Sequence, residues 1–177
     1  MIKLLMATVA LVAIAAPAAA QSTFEPGFYA NVGYTHLDGG DDVSLGAATV
    51  RAGAYLHPNF ASEGELSVGV KDEDIEVGPI TANVKHRFDV AIYAVGVLPI
   101  SDQAQLFARV GFGHTEIEAS ALGTTASADG KSWNYGVGGQ FFFDESNGLR
   151  ADWTRRDFTE DDNEELDTYS VSYVRRF

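Results

Sequence analysis

The feature that most constrains this chain is an alternation of apolar residues with polar or small ones, which recurs along seven of eight long segments. In the first segment, for example, Phe28, Val32 and Tyr34 share one face, and Asn31 and Thr35 lie on the other. Period two is the repeat of a β-strand, whose successive side chains point to opposite faces. Strands of soluble sheets usually have about 5–6 residues, whereas a tilted strand that crosses a membrane needs about 9–11. The segments have the greater length, which favours membrane-crossing strands.

The connections between the segments alternate in length. Short turns follow the second, fourth and sixth segments, at 57–59, 99–103 and 144–148, and longer connections follow the others. Bacterial outer-membrane barrels combine short periplasmic turns with longer extracellular loops. The sequence therefore predicts an all-β fold, an eight-stranded antiparallel up-and-down transmembrane β-barrel.

The first 20 residues differ from the rest of the chain. Lys3 is followed by the apolar run Leu4–Ala16, and Ala18-Ala19-Ala20 forms an A-x-A cleavage site. The run is too short for a spanning helix, so residues 1–20 are predicted to be a secretory signal peptide and 21–177 the barrel domain. The chain is expected to be exported to the outer membrane of a Gram-negative cell.

Charge and cysteine content narrow the possible partners. The formal net charge is −13 and cysteine is absent. An acidic chain without an extended basic patch is not expected to bind nucleic acid, and no cofactor is indicated.

The polar face of the alternation contains charges of both signs. If this face lines the lumen, the charges can pair across it, as burial requires. The predicted lumen network consists of Arg51, Glu63, Glu65, Asp89, Arg109, Arg150 and Asp152, together with Arg156. The alternative architecture, a soluble lipocalin-like barrel, would place these charges in a ligand cavity that should be apolar.

The fourth segment, 83–98, is apolar on both faces, so its register is ambiguous. We expect Val90, Ile92 and Ala94 to face outward and Asp89 to face inward.

Most of the 25 acidic residues lie in the four predicted outer loops, most densely between 157 and 167. Blocks of like charge usually remain hydrated. A sharper alternative is that Asp161, Asp162, Glu164 and Glu165 bind divalent cations, which prefer carboxylate oxygens. A third interpretation is that these acidic loops recognise a basic partner.

Three stretches of the chain resemble the small outer-membrane barrels of the OmpA transmembrane-domain and OmpX/Ail type. They are 27–35, the hairpin 93–113, and the C-terminal residues Tyr169, Val171, Tyr173 and Phe177, which are similar to the signal read by the barrel-assembly machinery. Arg175 departs from the apolar residue usual at its position in that signal. The resemblance implies transit with periplasmic chaperones, contact with outer-membrane lipid and lipopolysaccharide, and no enzymatic activity.

A barrel of eight strands has an interior just wide enough for side chains. The predicted function is therefore a structural or surface-interaction role, adhesin-like, through acidic outer loops around a plugged lumen. The alternatives are a narrow, porin-like channel and, less favoured, a lipid A-modifying enzyme. The sequence has no His-x-Ser pair of the kind found in a lipid A deacylase.

Overall fold

The computed structural model describes residues 27–39, 44–71, 73–77, 80–121, 124–159 and 165–177. The predicted signal peptide, residues 1–20, lies outside these residues. Among those described, no helix is long and apolar enough to cross a membrane.

The described chain consists of antiparallel strands. They are β1 (Phe28–Asp38), β2 (Ser44–His57), β3 (Phe60–Lys71), β4 (Glu73–Val77), β5 (Ile80–Pro99), β6 (Ala104–Ala121), β7 (Thr124–Phe142), β8 (Asn147–Phe158) and β9 (Glu165–Arg176). β3 and β4 pair with successive parts of β5, so together they occupy one of the eight strand positions in the barrel wall.

Two pairings close the sheet into a barrel. β1 pairs with β9, from Tyr29 opposite Arg176 to Asp38 opposite Asp167, and β3 pairs with β5. Every other neighbour in the sheet is also a neighbour in sequence, as in an up-and-down meander. The predicted eight-stranded antiparallel barrel is confirmed.

The two faces of the wall differ as the alternation predicts. The outer face exposes large apolar side chains, including Phe28, Val50, Ile92 and Val171, whereas the inner face is buried. In β5, Ile92 is 70% exposed and Asp89 only 1% exposed, which is the expected register. The inward residues Ala91, Tyr93, Val95 and Val97 of this strand are themselves apolar because they join a hydrophobic cluster inside the barrel, as described below.

The turns at one end of the barrel, called the turn end, are short: they span 58–59, 100–103 and 143–146. In the last of these, Asp144 Oδ1 accepts hydrogen bonds from the backbone N–H of Ser146 at 2.8 Å and of Asn147 at 2.7 Å. The Asn147 side-chain N–H donates a further hydrogen bond to the same carboxylate at 2.9 Å. This bond above all, together with the backbone bonds, holds the pKa of Asp144 below its usual value. The turn is therefore stabilised by the ionised carboxylate, and that contribution is lost as the pH falls through the pKa.

The opposite end, called the loop end, differs from the prediction of four long loops. β4 and β5 are separated only by residues 78–79, and β6 and β7 only by residues 122–123. Two of the predicted loops are therefore extended hairpins, because continued pairing satisfies backbone N–H and C=O groups in water as it does in a membrane. The acidic residues at 73–76, 116–118 and 129 consequently lie on strands.

The wall is taller on one side than on the other. The β5–β6 ladder reaches Ala82 opposite Ala121, and the β6–β7 ladder reaches Ala121 opposite Thr124. By contrast, the β7–β8 ladder ends at Ser132 opposite Phe158. We call the part of β4–β7 beyond this level the projecting sheet; it comprises residues 73–77, 80–87, 116–121 and 124–131.

Candidate functional site in the barrel interior

The interior is organised around Arg109, on β6. Its Nη1 lies 3.1 Å from Glu63 Oε1 and 3.0 Å from Glu65 Oε2, and its Nη2 lies 2.8 Å from Asp152 Oδ2. Its Nε donates to the hydroxyl of Thr154 at 3.0 Å. One guanidinium thus joins carboxylates from β3 and β8, which lie far apart along the chain.

Arg51 provides a second link between the same strands. Its Nε lies 2.5 Å from Glu65 Oε2, and its Nη1 lies 3.2 Å from Asp152 Oδ1. Its Nη2 donates to Ser170 at 3.0 Å, which extends the contacts to β9.

Two further arginines complete the layer. Arg150 pairs with Glu63 at 2.6 Å and with Asp152 at 3.2 Å. Arg156 pairs with Glu65 at 3.1 Å and with Asp89 at 3.0 Å. The structure therefore brings together all seven residues of the predicted lumen network, with Arg156, in one connected set that we call the ion layer.

The ion layer contains four arginines and four carboxylates, so its formal charge is zero. Its most exposed member, Asp152, is only 7% exposed. Burial of charges is costly unless each is paired and hydrogen-bonded. The mutual pairing explains how eight ionisable side chains can occupy the inside of a small barrel.

Aromatic residues outside the predicted lumen network support this layer. Tyr29 donates to Glu63 at 2.8 Å, and Tyr93 donates to Glu65 at 3.2 Å. The Arg109 guanidinium lies 4.4 Å from the centre of the Tyr93 ring, and that of Arg150 lies 3.9 Å from the centre of the Phe107 ring. The inward parity of Tyr29, two residues before Asn31, was the signal that could have identified it.

A belt of hydroxyl groups lies next to the ion layer on the side of the loop end. The Thr35 hydroxyl is 2.7 Å from those of Thr49 and Ser170, and Thr49 is 2.8 Å from Ser67. The belt crosses four strands and contacts the ion layer through the Ser170–Arg51 hydrogen bond.

Apolar clusters lie on both sides of the polar layers. Toward the turn end, buried residues pack in the lumen; they are Tyr29, Ala61, Ala91, Tyr93, Val95, Val97, Phe107, Phe142 and Val174. Toward the loop end, Leu37, Leu45, Ala47 and Leu166 form a second cluster, against which Phe158 packs. From the loop end to the turn end, the interior thus consists of an apolar layer, a hydroxyl layer, the ion layer and a second apolar layer.

The predicted assembly signal lies on the outer face of the closing strand. Tyr169, Val171, Tyr173 and Phe177 are between 38% and 73% exposed. Arg175 also faces outward, with its guanidinium 5.5 Å from the centre of the Phe177 ring. The Phe177 N–H donates to the carbonyl of Phe28 at 2.9 Å, so the last residue takes part in closure of the barrel.

The candidate cation-binding loop lies mostly outside the described residues, since only Glu165 of Asp161, Asp162, Glu164 and Glu165 is among them. Glu165 pairs with Arg155 at 2.8 Å on the outer face. Within the described part of the chain, no group of three or more His, Cys, Asp or Glu side chains could hold a metal ion.

Comparison with known proteins gives one family and several structural neighbours. The family described as "Outer membrane protein beta-barrel domain" matches residues 6–177. No curated protein matches the chain.

Among solved structures, Ail of Yersinia pestis in complex with the heparin analogue sucrose octasulfate is 18% identical, with a TM-score of 0.62 over 87% of this chain and 100% of that one. OprG from Pseudomonas aeruginosa is 10% identical, with a TM-score of 0.67 over 85% of this chain and 95% of that one. A major outer membrane protein from Thermus thermophilus is 11% identical, with a TM-score of 0.62 over 87% and 100%. At these identities the likeness extends to the fold.

Proposed function

The chain belongs to the family of outer membrane protein β-barrel domains, and from this premise we propose that its barrel is a closed anchor that presents the projecting sheet outside the cell. Short turns are periplasmic and the opposite end extracellular in such barrels. The projecting sheet therefore extends beyond the membrane on the outer side. The proposed role is surface interaction, without transport through the lumen.

The observation that carries the proposal is the layered filling of the interior. A solute would have to pass both apolar clusters and separate Arg109 from its carboxylate partners, each of which is buried. Separation of a buried, hydrogen-bonded ion pair costs several kcal/mol. Such a lumen favours anchoring over conductance.

The projecting sheet has features of an interaction surface. Among the described strand pairs, the part of β7 from Thr124 to Gly130 has β6 as a neighbour but no partner on its other edge. An open strand edge offers backbone donors and acceptors to another chain. This side of the sheet can therefore accept an extended segment of a partner.

The charge of the sheet indicates the chemistry of the partner. The projecting sheet contains three basic residues, Lys85, Arg87 and Lys131, and six acidic ones, so its formal charge is −3; the acidic residues are Glu73, Asp74, Glu76, Glu116, Glu118 and Asp129. The Ail structure holds a sulfated heparin analogue, a polyanion that an acidic surface of this kind would repel. For the present chain we propose a basic partner.

Binding to a lysine- and arginine-rich peptide tests this proposal. We expect the protein in nanodiscs to bind the peptide with an affinity that falls as the salt concentration rises, because exposed charges are screened. A variant in which residues 117–130 are replaced by a tight turn should lose most of the binding. A second variant, with Glu116→Gln, Glu118→Gln and Asp129→Asn, keeps the hairpin and removes three charges.

The two variants distinguish a requirement for the hairpin in peptide binding from a requirement for its negative charges. If the truncated protein stays folded, as judged by its gel mobility before and after boiling, and binds the peptide as well as the wild type, the β6–β7 hairpin and its open strand edge are not the binding surface. Undiminished binding by the charge variant would contradict the assignment of a basic partner.

A further inference from the structure

The projecting sheet has two chemically different faces. Paired residues lie side by side on one face of a sheet, and successive residues of a strand alternate between the faces. In the β6–β7 hairpin, Ile117 pairs with Ala128 and Ala119 pairs with Ala126, so these four residues share a face. We call it the apolar face.

The apolar face continues across β5 and β4. Val84 pairs with Ala119, and Ala82 pairs with Ala121 on one side and with Ile75 on the other. Apolar residues of all four strands therefore lie on the same face of the projecting sheet.

An irregularity in β5 brings its apolar residues onto this face. The register of β5 against β6 shifts between His86 and Phe88, which leaves Arg87 as an extra residue in the pairing. An extra residue of this kind reverses the alternation of the strand beyond it. Without the shift, Asn83 and Lys85 would lie on the apolar face. The irregularity thus separates the apolar residues of β5 from its polar ones.

The opposite face, which we call the acidic face, carries most of the negative charge of the hairpin. Glu116 pairs with Asp129, and Glu118 pairs with Ser127. Lys131 shares this face but lies beyond the open edge of β7. Neighbouring strands are about 5 Å apart, so the three acidic residues lie within about 10 Å of any strand added to that edge.

A strand added to the open edge of β7, residues 124–130, would have side chains on both faces, since its residues also alternate. One set would extend the apolar face next to the small residues Ala126 and Ala128, which favours larger aliphatic side chains. The other set would extend the acidic face, which favours lysine and arginine.

We infer that the partner is an extended segment of about seven residues in which basic residues alternate with aliphatic ones, matching the length of the open edge, Thr124 to Gly130. This inference rests on the proposed function and deepens it. Charge alone would accept any basic segment, whereas two unlike faces require a partner with a period of two.

Two peptides of identical composition test this pattern. Lys-Val-Lys-Val-Lys-Val-Lys places its valines on one side of a strand and its lysines on the other, whereas Lys-Lys-Val-Val-Val-Lys-Lys mixes them on both sides. Binding of each fluorescently labelled peptide to the protein in nanodiscs is measured, with protein-free nanodiscs of the same lipid as background. We expect the dissociation constant of the alternating peptide to be about tenfold lower, a preference of about 1.4 kcal/mol.

Two adjacent substitutions form a matched pair. Ala126→Asp and Ser127→Asp add the same charge to opposite faces of β7. Ala126→Asp should abolish the preference for the alternating peptide, because its valines would meet a carboxylate. Ser127→Asp should keep the preference and strengthen the binding of both peptides. Gel mobility before and after boiling verifies that each variant is folded.

The outcomes distinguish failure of this inference from failure of the proposed function. If neither peptide binds the wild type, the basic partner is wrong and the inference fails with it. If both bind equally well, the basic partner stands and the alternating pattern is overturned. Persistence of the preference in the Ala126→Asp variant, or its loss in the Ser127→Asp variant, would overturn the assignment of the faces. The wild-type comparison decides the pattern even if a variant does not fold.

Discussion

Arg109→Met is expected to lower the free energy of unfolding by about 3–5 kcal/mol. The arginine is buried and pairs with Glu63, Glu65 and Asp152. Methionine keeps much of the volume but leaves the ion layer with one uncompensated negative charge. The measurement is urea-induced unfolding of the protein in lipid vesicles, followed by tryptophan fluorescence and gel mobility.

Arg155→Met is the matched control, since it removes the same side chain from the outer face. Arg155 pairs with Glu165 and Asp167, and its side chain is 32% exposed. Partly exposed ion pairs usually contribute about 0–1 kcal/mol. A loss in the Arg109 variant no greater than in the Arg155 variant would contradict the buried ion layer.

Gly53→Val is expected to lower the free energy of unfolding by at least about 2 kcal/mol, since overpacking of a filled interior typically costs about 1–3 kcal/mol. Gly53 faces inward, and a Cβ atom placed there would overlap the ring of Tyr29. Tyr29 would have to move away from Glu63, whose carboxylate it contacts at 2.8 Å. Loss of a hydrogen bond to a charged group adds about 1.5–3 kcal/mol.

Gly64→Val is the control for this substitution. Gly64 faces outward on β3, and the nearest atom to an added Cβ is the Ala52 carbonyl oxygen at 4.0 Å. We expect a change within about 0.5 kcal/mol, as for surface substitutions in general. The same unfolding experiment measures both variants. Equal changes in the free energy of unfolding at Gly53 and Gly64 would mean that the interior contains enough unfilled space for the added side-chain atoms.

The barrel could be predicted from the sequence because period two specifies which face of each strand is buried. Arg51, Arg109 and Arg150 alternate with apolar neighbours, so their inward direction followed from parity alone. Which carboxylate each arginine would contact did not follow. Those partners depend on the stagger between strands, and local sequence does not encode it.

The extended hairpins were missed for a related reason. The segments 116–121 and 124–131 contain charged and small polar side chains that are typical of loops, yet they lie in β6 and β7. Backbone pairing with an established neighbouring strand outweighed weak local preference, since β-propensity depends strongly on context. The supporting roles of Tyr29 and Tyr93 also depend on tertiary contacts, because inward parity places both rings in the lumen without specifying which carboxylate each hydroxyl contacts.

The filled interior is tested most directly by single-channel recording of the purified protein in planar lipid bilayers. The ion layer and its two flanking apolar clusters predict a baseline without large, steady current steps, both for the wild type and for the Arg155→Met variant. Large, stable unitary conductances from wild-type protein whose gel mobility shows a folded barrel would contradict the account and favour a channel through the lumen.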